Sequence, residues 1–321
     1  MLKRLLIIFL VAAVLGAGVQ ALAAKGDKVR FVQVNWTGVS AKTETAAYLL
    51  DQLGYETDVI TASVPIMFLS LAQERRDAAF GLWLPTQREM VRKHMLKGEI
   101  DLVTTNLTGA KYTIGVPSYV YEAGVQHFAD LDEHKDKFGG KIYGIEAGND
   151  GNKVVQEMIN DDAYGLRDWE LVPSSEAGML TQVRREINRD NWIAWLAWAP
   201  HPMNINFDMN FLHGGEKYWG PNQGAATVHT IARTGYAWEN PNVGQFLENY
   251  TFTVEEQAQM GHYIINKDMG YAEAGRKLIR EKPELLERWF DHGGTYKTTV
   301  VKTADGKRDA LEAIREAMGL Q

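Results

Sequence analysis

Aromatic side chains are the residues of this chain whose types and positions suggest chemistry. Four of them stand beside glycine or proline, or in polar turns, where strands would end: Trp36, Trp83, Tyr112 and Trp198. A ring at such a place is poorly situated for a core but well situated to face a cleft. Aromatic faces are electron-rich, so several rings that close on one point attract a methylated ammonium group. The pattern predicts that these four rings, called here the aromatic box, bind a quaternary amine.

Packing into the core is the alternative role for each ring. The prolines that follow Trp198 end its strand and favour a ligand role, whereas Trp192 and Trp195 in the same segment are expected in the core. Taken alone, Trp83 fits the core better, and for Trp36 the two interpretations are balanced. Tyr112 alone indicates neither, so the prediction of a box depends on all four rings together.

Two polar positions are further candidates for ligand binding. Asn149 lies in the turn Gly-Asn-Asp-Gly-Asn over residues 148–152, between a predicted strand and a predicted helix. Backbone N–H groups at such a helix start can hold an electronegative atom, and the alternative is a simple helix cap. Glu122 follows Tyr-Val-Tyr and is predicted to face the cleft, the alternative being a solvated surface acid.

Composition excludes several classes of function. The chain has no cysteine, which rules out thiol nucleophiles, iron–sulfur clusters and cysteine-based zinc sites. Its net charge is −7 and it has no basic stripe, so a nucleic-acid partner is not expected. No metalloprotease, serine-hydrolase or P-loop motif occurs, and we therefore predict no catalytic, cofactor-binding or metal-ligating residue. An enzyme acting on methylated amines and a receptor-coupled sensor remain alternatives.

The first residues have the pattern of an export signal. Lys3 and Arg4 precede an apolar run, and Ala21-Leu22-Ala23 fits a cleavage site, which predicts a signal peptide over residues 1–23. A membrane anchor is the alternative, but the run of about 15 residues is shorter than the roughly 20 that span a bilayer. We expect a periplasmic protein that acts as a monomer.

Strand and helix patterns alternate along most of the chain. The predicted strands cover residues 29–34, 55–61, 77–82, 112–116, 141–145, 171–173 and 192–198. The predicted helices cover residues 43–53, 65–73, 153–158, 175–188, 242–249, 254–265, 271–281, 283–290 and 305–318, with a helical turn over 128–134. This order is typical of two α/β units with parallel sheets, in which ligands bind beyond the carboxyl ends of the strands.

With these motifs in place, the chain resembles the substrate-binding proteins of ABC importers for glycine betaine, choline and related quaternary amines. The resemblance covers nearly the whole chain after the predicted signal and is strongest to the choline-binding branch. The stretches that carry it are residues 63–65, 109–113, 141–146, 148–152, 174–180, 200–204 and 226–230.

The resemblance implies a type II periplasmic-binding-protein fold with two α/β lobes, a hinge and a ligand cleft between the lobes. Lobe I is expected over residues 27–109 and 222–321, and lobe II over residues 110–221. Trp36 and Trp83 would then lie on lobe I. The remaining box rings and Asn149, near the polar tail of the ligand, would lie on lobe II. An ABC permease in the inner membrane is the implied protein partner.

Two departures from the choline-binding pattern bear on the ligand. That pattern has an acidic residue two positions after the first box tryptophan and a glutamate directly after the last, where this chain has Gly38 and Ala199. Losing a carboxylate beside a cation forfeits about 1–4 kcal/mol of Coulomb attraction. A net-neutral ligand loses less, so trimethylamine N-oxide or glycine betaine is predicted over choline or carnitine. The N-oxide is slightly favoured because its compact oxygen needs only one or two donors, for which Asn149 and a protonated Glu122 are candidates.

Overall fold

The computed structural model describes residues 28–296, 300–303 and 306–320, so the signal peptide predicted for residues 1–23 lies outside the described residues. The strands are β1 Lys28–Gln33, β2 Glu56–Thr61, β3 Ala78–Leu84, β4 Ile100–Pro117, β5 Lys141–Tyr143, β6 Glu170–Val172, β7 Ala194–Ala199, β8 Met209–Phe211, β9 Ala225–Arg233, β10 Val300–Thr303 and β11 Gly306–Asp309.

Helices connect most of these strands and form the last part of the chain. They are α1 Thr37–Gln52, α2 Val64–Ala72, α3 Arg88–Leu96, α4 Ser118–Glu122, α5 Lys135–Phe138, α6 Asp150–Asn160, α7 Glu176–Ile187, α8 Met203–Asn206, α9 Glu216–Trp219, α10 Pro221–Gly224, α11 Tyr236–Glu239, α12 Pro241–Asn249, α13 Val254–Lys267, α14 Tyr271–Glu281, α15 Glu284–Trp289 and α16 Ala310–Met318. Short 3-10 turns cover Phe128–Asp130, Asp132–His134 and Ala163–Asp168. Among the described residues, no helix is long and apolar enough to cross a membrane.

One mixed sheet runs through the molecule in the order β2-β1-β3-β9-β4-β7-β5-β6, with β8 paired to β4. The two parallel units predicted from the sequence are present, because β1 is parallel to β2 and β3, and β5 is parallel to β6 and β7. The strands β9 and β4 between them pair antiparallel with each other and with their outer neighbours. This antiparallel centre was not predicted.

Strand β4 joins the two parallel units. Its Lys111 pairs with Ala225 of β9 on one side and with Ala199 of β7 on the other, so the strand passes from one unit to the next at this residue. The prediction of a strand over 112–116 only was too short. Register shifts along the first half of β4 interrupt the alternation of apolar residues that indicates a strand. Gly109, which has a φ of 76°, also suggests from the sequence that one element ends there and another begins.

Most of the predicted helices lie within a few residues of their predicted bounds, whereas α3, α4, α5 and α8–α11 were not predicted. Two corrections stand out. Helix α1 begins at Thr37 rather than at residue 43. The last helix begins at Ala310, because the side chain of Asp309 accepts a hydrogen bond from the Glu312 N–H and caps it there, while Gly306–Asp309 forms a strand. Helices α13 and α14 pack on α1, so the C-terminal part of the chain covers the unit that contains β1.

A lysine is buried inside this first unit. The Lys42 side chain is fully buried in α1, and its Nζ donates to Asn106 Oδ1 at 2.8 Å. Burial lowers the pKa of Lys42 to about 7, because the charged ammonium loses its water shell there. In the unfolded chain the same group keeps a pKa near 10.4. Between these values the unfolded state binds more protons, so raising the pH favours the folded state.

We predict that the free energy of unfolding rises with pH between about 7 and 10 by up to about 1.4 kcal/mol per pH unit through Lys42 alone. Urea unfolding of the wild type and of Lys42→Met across this range isolates the effect, since the variant lacks the titrating group. Lys93→Met removes an exposed lysine and serves as the control. Identical pH slopes for the wild type and Lys42→Met would contradict the prediction.

Candidate functional site

The four predicted box rings come from elements that end or cross at one level of the sheet. Trp36 is the residue before helix α1, Trp83 is the last residue but one of β3, and Trp198 holds the same place in β7. Tyr112 lies inside β4, directly opposite Trp198 in the register. Strands β3 and β7 run in opposite directions, and their carboxyl ends meet where Lys111 of β4 pairs with both neighbours.

The rings line one cavity. Its other lining residues are Gly38, Val39, Ile145 and Gln257. The Tyr112 ring contacts the Trp83 and Trp198 rings edge to face, with centroid distances of 6.0 Å and 6.1 Å. The box rings are each 5–7% exposed. The aromatic wall of the cavity is therefore shielded from bulk water.

No charged side chain is among the residues that line the cavity, but carboxylates stand behind the rings. The indole N–H of Trp36 donates to Glu146 Oε1 at 2.9 Å, which fixes the ring from the far side of the cleft. Burial raises the pKa of Glu146, and the hydrogen bond from Trp36 opposes this by favouring the ionised form. Glu146 lies in the loop after β5, so this contact joins the two parallel units.

A second carboxylate supports Trp83 through one intermediate residue. The side-chain oxygen of Gln87 accepts from the backbone N–H of Trp83 at 3.2 Å, and its amide nitrogen donates to Asp150 Oδ1 at 3.1 Å. Gln87 and Asp150 are both buried, and burial raises the pKa of Asp150. Asp150 is the first residue of α6, so this pair again connects the unit of β3 with the unit of β5.

A third carboxylate, Glu176, joins the start of α1 to the loop after Trp198. It accepts hydrogen bonds from the Thr37 backbone N–H at 3.1 Å and from the Thr37 hydroxyl, and its Oε1 lies 3.2 Å from His201 Nε2. The His201 ring in turn contacts Trp198 at 5.0 Å between centroids. Burial opposes the ionisation of Glu176, yet His201 and Thr37 hold its pKa below the ordinary value.

Asn149 supports the box without lining the cavity. Its side-chain oxygen accepts from the Tyr112 hydroxyl at 3.1 Å and from the Asn152 backbone N–H at 3.0 Å, which makes it the cap of α6. A Cβ on Gly151 would collide with the Tyr112 hydroxyl, so glycine is required there for this approach. Burial raises the pKa of Tyr112 well above its usual range, so the ring remains a neutral phenol. Asn149 therefore has the helix-cap role that was the alternative to ligand binding in the sequence analysis.

Glu122 is not brought to the cavity. It is the last residue of the short helix α4 and is exposed to solvent. The prediction that it faces the cleft therefore does not match its position, because the helix turns its side chain to the surface. Trp195 is fully buried, as predicted for a core residue, whereas Trp219 packs against Tyr112 at 5.5 Å and was not identified from the sequence.

Several residues of the site were not identified from the sequence. They are the supporting polar residues Gln87, Glu146, Asp150 and Glu176 and the lining residue Gln257. Glu146 precedes the turn over residues 148–152 that the sequence singles out, and Asp150 lies within it, so these two acids were an available signal. Nothing local marks Gln257, which lies in the C-terminal helical part. Within the described ranges no group of three or more histidine, aspartate or glutamate side chains is arranged to hold a metal ion.

Comparison with known proteins agrees with this fold. A solved choline-binding protein of an ABC transporter, in complex with choline, is 39% identical with a TM-score of 0.86, covering 91% of this chain and 98% of that one. Lactococcal OpuAC with glycine betaine is 26% identical with a TM-score of 0.74, covering 82% of this chain and 99% of that one. Both are periplasmic-type binding proteins with two lobes, which confirms the predicted fold class.

Sequence relatives point in the same direction. The glycine betaine/carnitine transport binding protein GbuC of Listeria monocytogenes is 29% identical over 150 residues, 47% of this chain and 49% of GbuC, so this match spans about half of that protein. The protein ORF1 of Chromohalobacter salexigens is 43% identical over 136 residues, 42% of this chain and 88% of ORF1. The model of the substrate-binding domain of ABC-type glycine betaine transport systems matches residues 27–281. The chain therefore belongs to this family of ABC-transporter substrate-binding proteins.

Proposed function

We propose that this protein binds a small trimethylammonium osmolyte in the aromatic box and delivers it to an ABC permease. The observation that carries the proposal is one cavity lined by Trp36, Trp83, Tyr112 and Trp198. Desolvated cation–π contacts contribute about 1–2 kcal/mol each, so four rings offer about 4–8 kcal/mol before the costs of ordering and closure. Burial of the methyl groups adds to this, and micromolar binding, near −8 kcal/mol, is the expected affinity.

A net-neutral ligand fits the cavity best. No acidic side chain is among its lining residues, and positions 38 and 199 carry glycine and alanine. The carboxylates of Glu146, Asp150 and Glu176 already accept hydrogen bonds from protein groups. Trimethylamine N-oxide and glycine betaine carry their own negative end, so they need no counter-charge from the wall. Choline is the alternative, favoured by the similarity to the choline complex, and carnitine is a further one.

The ligand would act by favouring the closed arrangement of two lobes. We infer lobe I over residues 27–109 and 222–321 and lobe II over residues 110–221. The passage of β4 between neighbours at Lys111 supports this division. The contacts of Trp36 with Glu146 and of Gln87 with Asp150 would then cross the cleft. A ligand that touches both lobes binds the closed state better and shifts the population toward it.

The wider role follows from the family. GbuC and the solved choline-binding and glycine betaine-binding relatives are transport binding proteins, and an ABC importer takes its substrate from outside the cytoplasm. We propose a periplasmic monomer, exported by the signal peptide over residues 1–23, that works with an inner-membrane permease. The rival functions, an enzyme that acts on methylated amines and a receptor-coupled sensor, use the same cavity. Turnover of trimethylamine N-oxide by the purified protein would support the alternative that the protein is an enzyme.

Removal of one box ring is expected to weaken ligand binding while the fold survives. Trp83→Ala and Trp198→Ala each lose a cation–π contact, so the Kd for trimethylamine N-oxide should rise tenfold or more in calorimetric titration. Trp238→Ala is the matched control, since Trp238 is 63% exposed and lies outside the cavity. Unchanged affinity in both box variants, with the control also unchanged, would contradict the proposal that the aromatic box binds the ligand.

Glu176→Gln tests closure separately from the rings. The variant weakens the hydrogen bonds from Thr37, which cross the proposed cleft, and the charge-assisted contact with His201 inside lobe II, so affinity should fall about tenfold at pH 7. Glu170→Gln changes an exposed glutamate of the same half and should bind like the wild type. If Glu176→Gln binds as tightly as the wild type, the contact does not contribute to closure.

The same contact predicts a pH dependence. Because the pKa of Glu176 is lowered in this arrangement, its stabilising contribution is present above the ordinary value of 4.5 and is lost as the pH falls through the lowered pKa. The difference in affinity between the wild type and Glu176→Gln should therefore shrink in titrations taken below pH 4.5. A difference that stays constant to the acid limit of the folded protein would contradict this.

A further inference from the structure

Two polar side chains are joined where the chain passes between the proposed lobes. Lys111 is the residue at which β4 changes partners, and Gln223 lies in α10, directly before β9 returns to the first unit. The Lys111 Nζ donates to Gln223 Oε1 at 2.8 Å. A Cβ on Gly224 would collide with the backbone oxygen of Tyr112, so the two crossing segments are in close contact at a residue of the aromatic box.

The second crossing segment has an unusual backbone conformation. Asn222 and Gln223 have φ angles of 52° and 59°, in the left-handed region that residues other than glycine rarely adopt. Such a conformation persists where surrounding contacts determine it. The Gln223 amide nitrogen supplies such contacts, since it donates to Phe211 O at 3.4 Å and lies 2.8 Å from His213 Nε2. Phe211 and His213 belong to proposed lobe II and Gln223 to proposed lobe I, so this amide joins the lobes at the hinge.

These contacts determine the proton state of His213. The Lys111 ammonium can only donate, so the oxygen of the Gln223 amide must face it. The amide nitrogen, which also can only donate, therefore faces His213 Nε2, and this ring nitrogen must be an acceptor without a proton. The arrangement thus requires a neutral His213. A second proton on the ring would place two donors against each other at 2.8 Å.

The charged and titratable groups around His213 are Tyr121, His127, Asp130, Lys111 and Glu216. The Tyr121 hydroxyl lies 3.1 Å from its Nε2, and the ring of His127, itself 3.6 Å from Asp130, lies 5.5 Å away between centroids. Lys111 and the exposed Glu216 line one open cavity together with His213. Among the described residues, no carboxylate forms a hydrogen bond or an ion pair with the His213 ring. A proton on this ring would therefore gain no salt bridge, while the cavity gives it access to solvent.

We propose that Lys111, Gln223 and His213 form a pH-sensitive clamp that holds the hinge in the closed arrangement only while His213 is neutral. The inference rests on the proposed function and on its division into two lobes. Histidine side chains change charge between about pH 5 and 8. Protonation of His213 removes the acceptor for the Gln223 amide and releases the left-handed segment. The population then shifts toward the open arrangement, so the ligand binds less tightly in acid.

Calorimetric titration of the wild type and His213→Gln at about pH 8 and about pH 5.5 tests the clamp. Glycine betaine is a suitable probe because it stays net neutral over this range. Its Kd for the wild type should rise about tenfold at the lower pH. The amide oxygen of His213→Gln replaces the ring acceptor and takes up no proton, so its Kd should change less than twofold. His134→Gln removes a ring that contacts Trp192 instead of the hinge and should keep the wild-type pH dependence.

Gln223→Glu provides an opposite expectation. The new carboxylate accepts hydrogen bonds from Lys111 and from a protonated His213, so acid should strengthen the clamp. The Kd of this variant for glycine betaine should therefore stay constant or fall at about pH 5.5, where the wild-type Kd rises. Equal pH dependence in the wild type and His213→Gln, or wild-type binding that does not weaken in acid, would overturn the clamp and leave the proposed function intact. If the wild type binds neither glycine betaine nor trimethylamine N-oxide at either pH, the proposed function fails, and the clamp fails with it.

Discussion

In the proposed function, the cost of removing a cation from water is the constraint on which the site depends. An ammonium head group leaves a strong hydration shell when it enters a closed cavity, and it must be attracted there without a counter-charge in the wall. Aromatic faces supply such attraction only when water is kept out, since solvent weakens electrostatic contacts. The box rings are nearly buried and come from four separate elements, so a dry wall is formed only when the two halves of the sheet lie together.

The supporting carboxylates follow from the same constraint. Each tryptophan of the box is held, directly or through one neighbour, by an acid of the polar network: Glu146 for Trp36, Asp150 through Gln87 for Trp83, and Glu176 through His201 for Trp198. The hydrogen bond to Glu146 holds the Trp36 ring and the one to Gln87 holds the Trp83 backbone, and all three acids lie outside the cavity lining. In the proposed function, this arrangement would favour a positive head group without a salt bridge to a bare cation.

Much of the fold was readable because strand and helix patterns in each α/β unit are local. The strands β1, β2, β3 and β7 and most of the helices that were predicted lie near their predicted bounds. The antiparallel pair β4 and β9 was not predicted, because bulges and Gly109 hide the alternation and pairing partners lie far apart in the chain. Helix α1 was predicted too short since its first N–H group is satisfied by Glu176, a remote residue that no local pattern indicates.

The site was predicted only in part, because only some of its features have a local signal in the sequence. Ring type and strand ends are local signals, and the four rings do line one cavity. The roles of polar residues depend on contacts across the cleft, so Asn149 is a cap and support, Glu122 is at the surface, and Gln257 went unnoticed. The absence of acidic residues at positions 38 and 199 could be recognised from the sequence, but the position of other acids behind the rings could not.

The most direct test compares trimethylamine N-oxide with tert-butanol by calorimetric titration of the wild-type protein. The two molecules have nearly the same shape and no net charge, but only the N-oxide has a positively charged centre among its methyl groups. If the rings bind that charge, the N-oxide should bind with a Kd in the micromolar range and tert-butanol should bind at least a hundredfold more weakly. Similar affinities for both would mean that the cavity is merely apolar and would contradict the cation–π account.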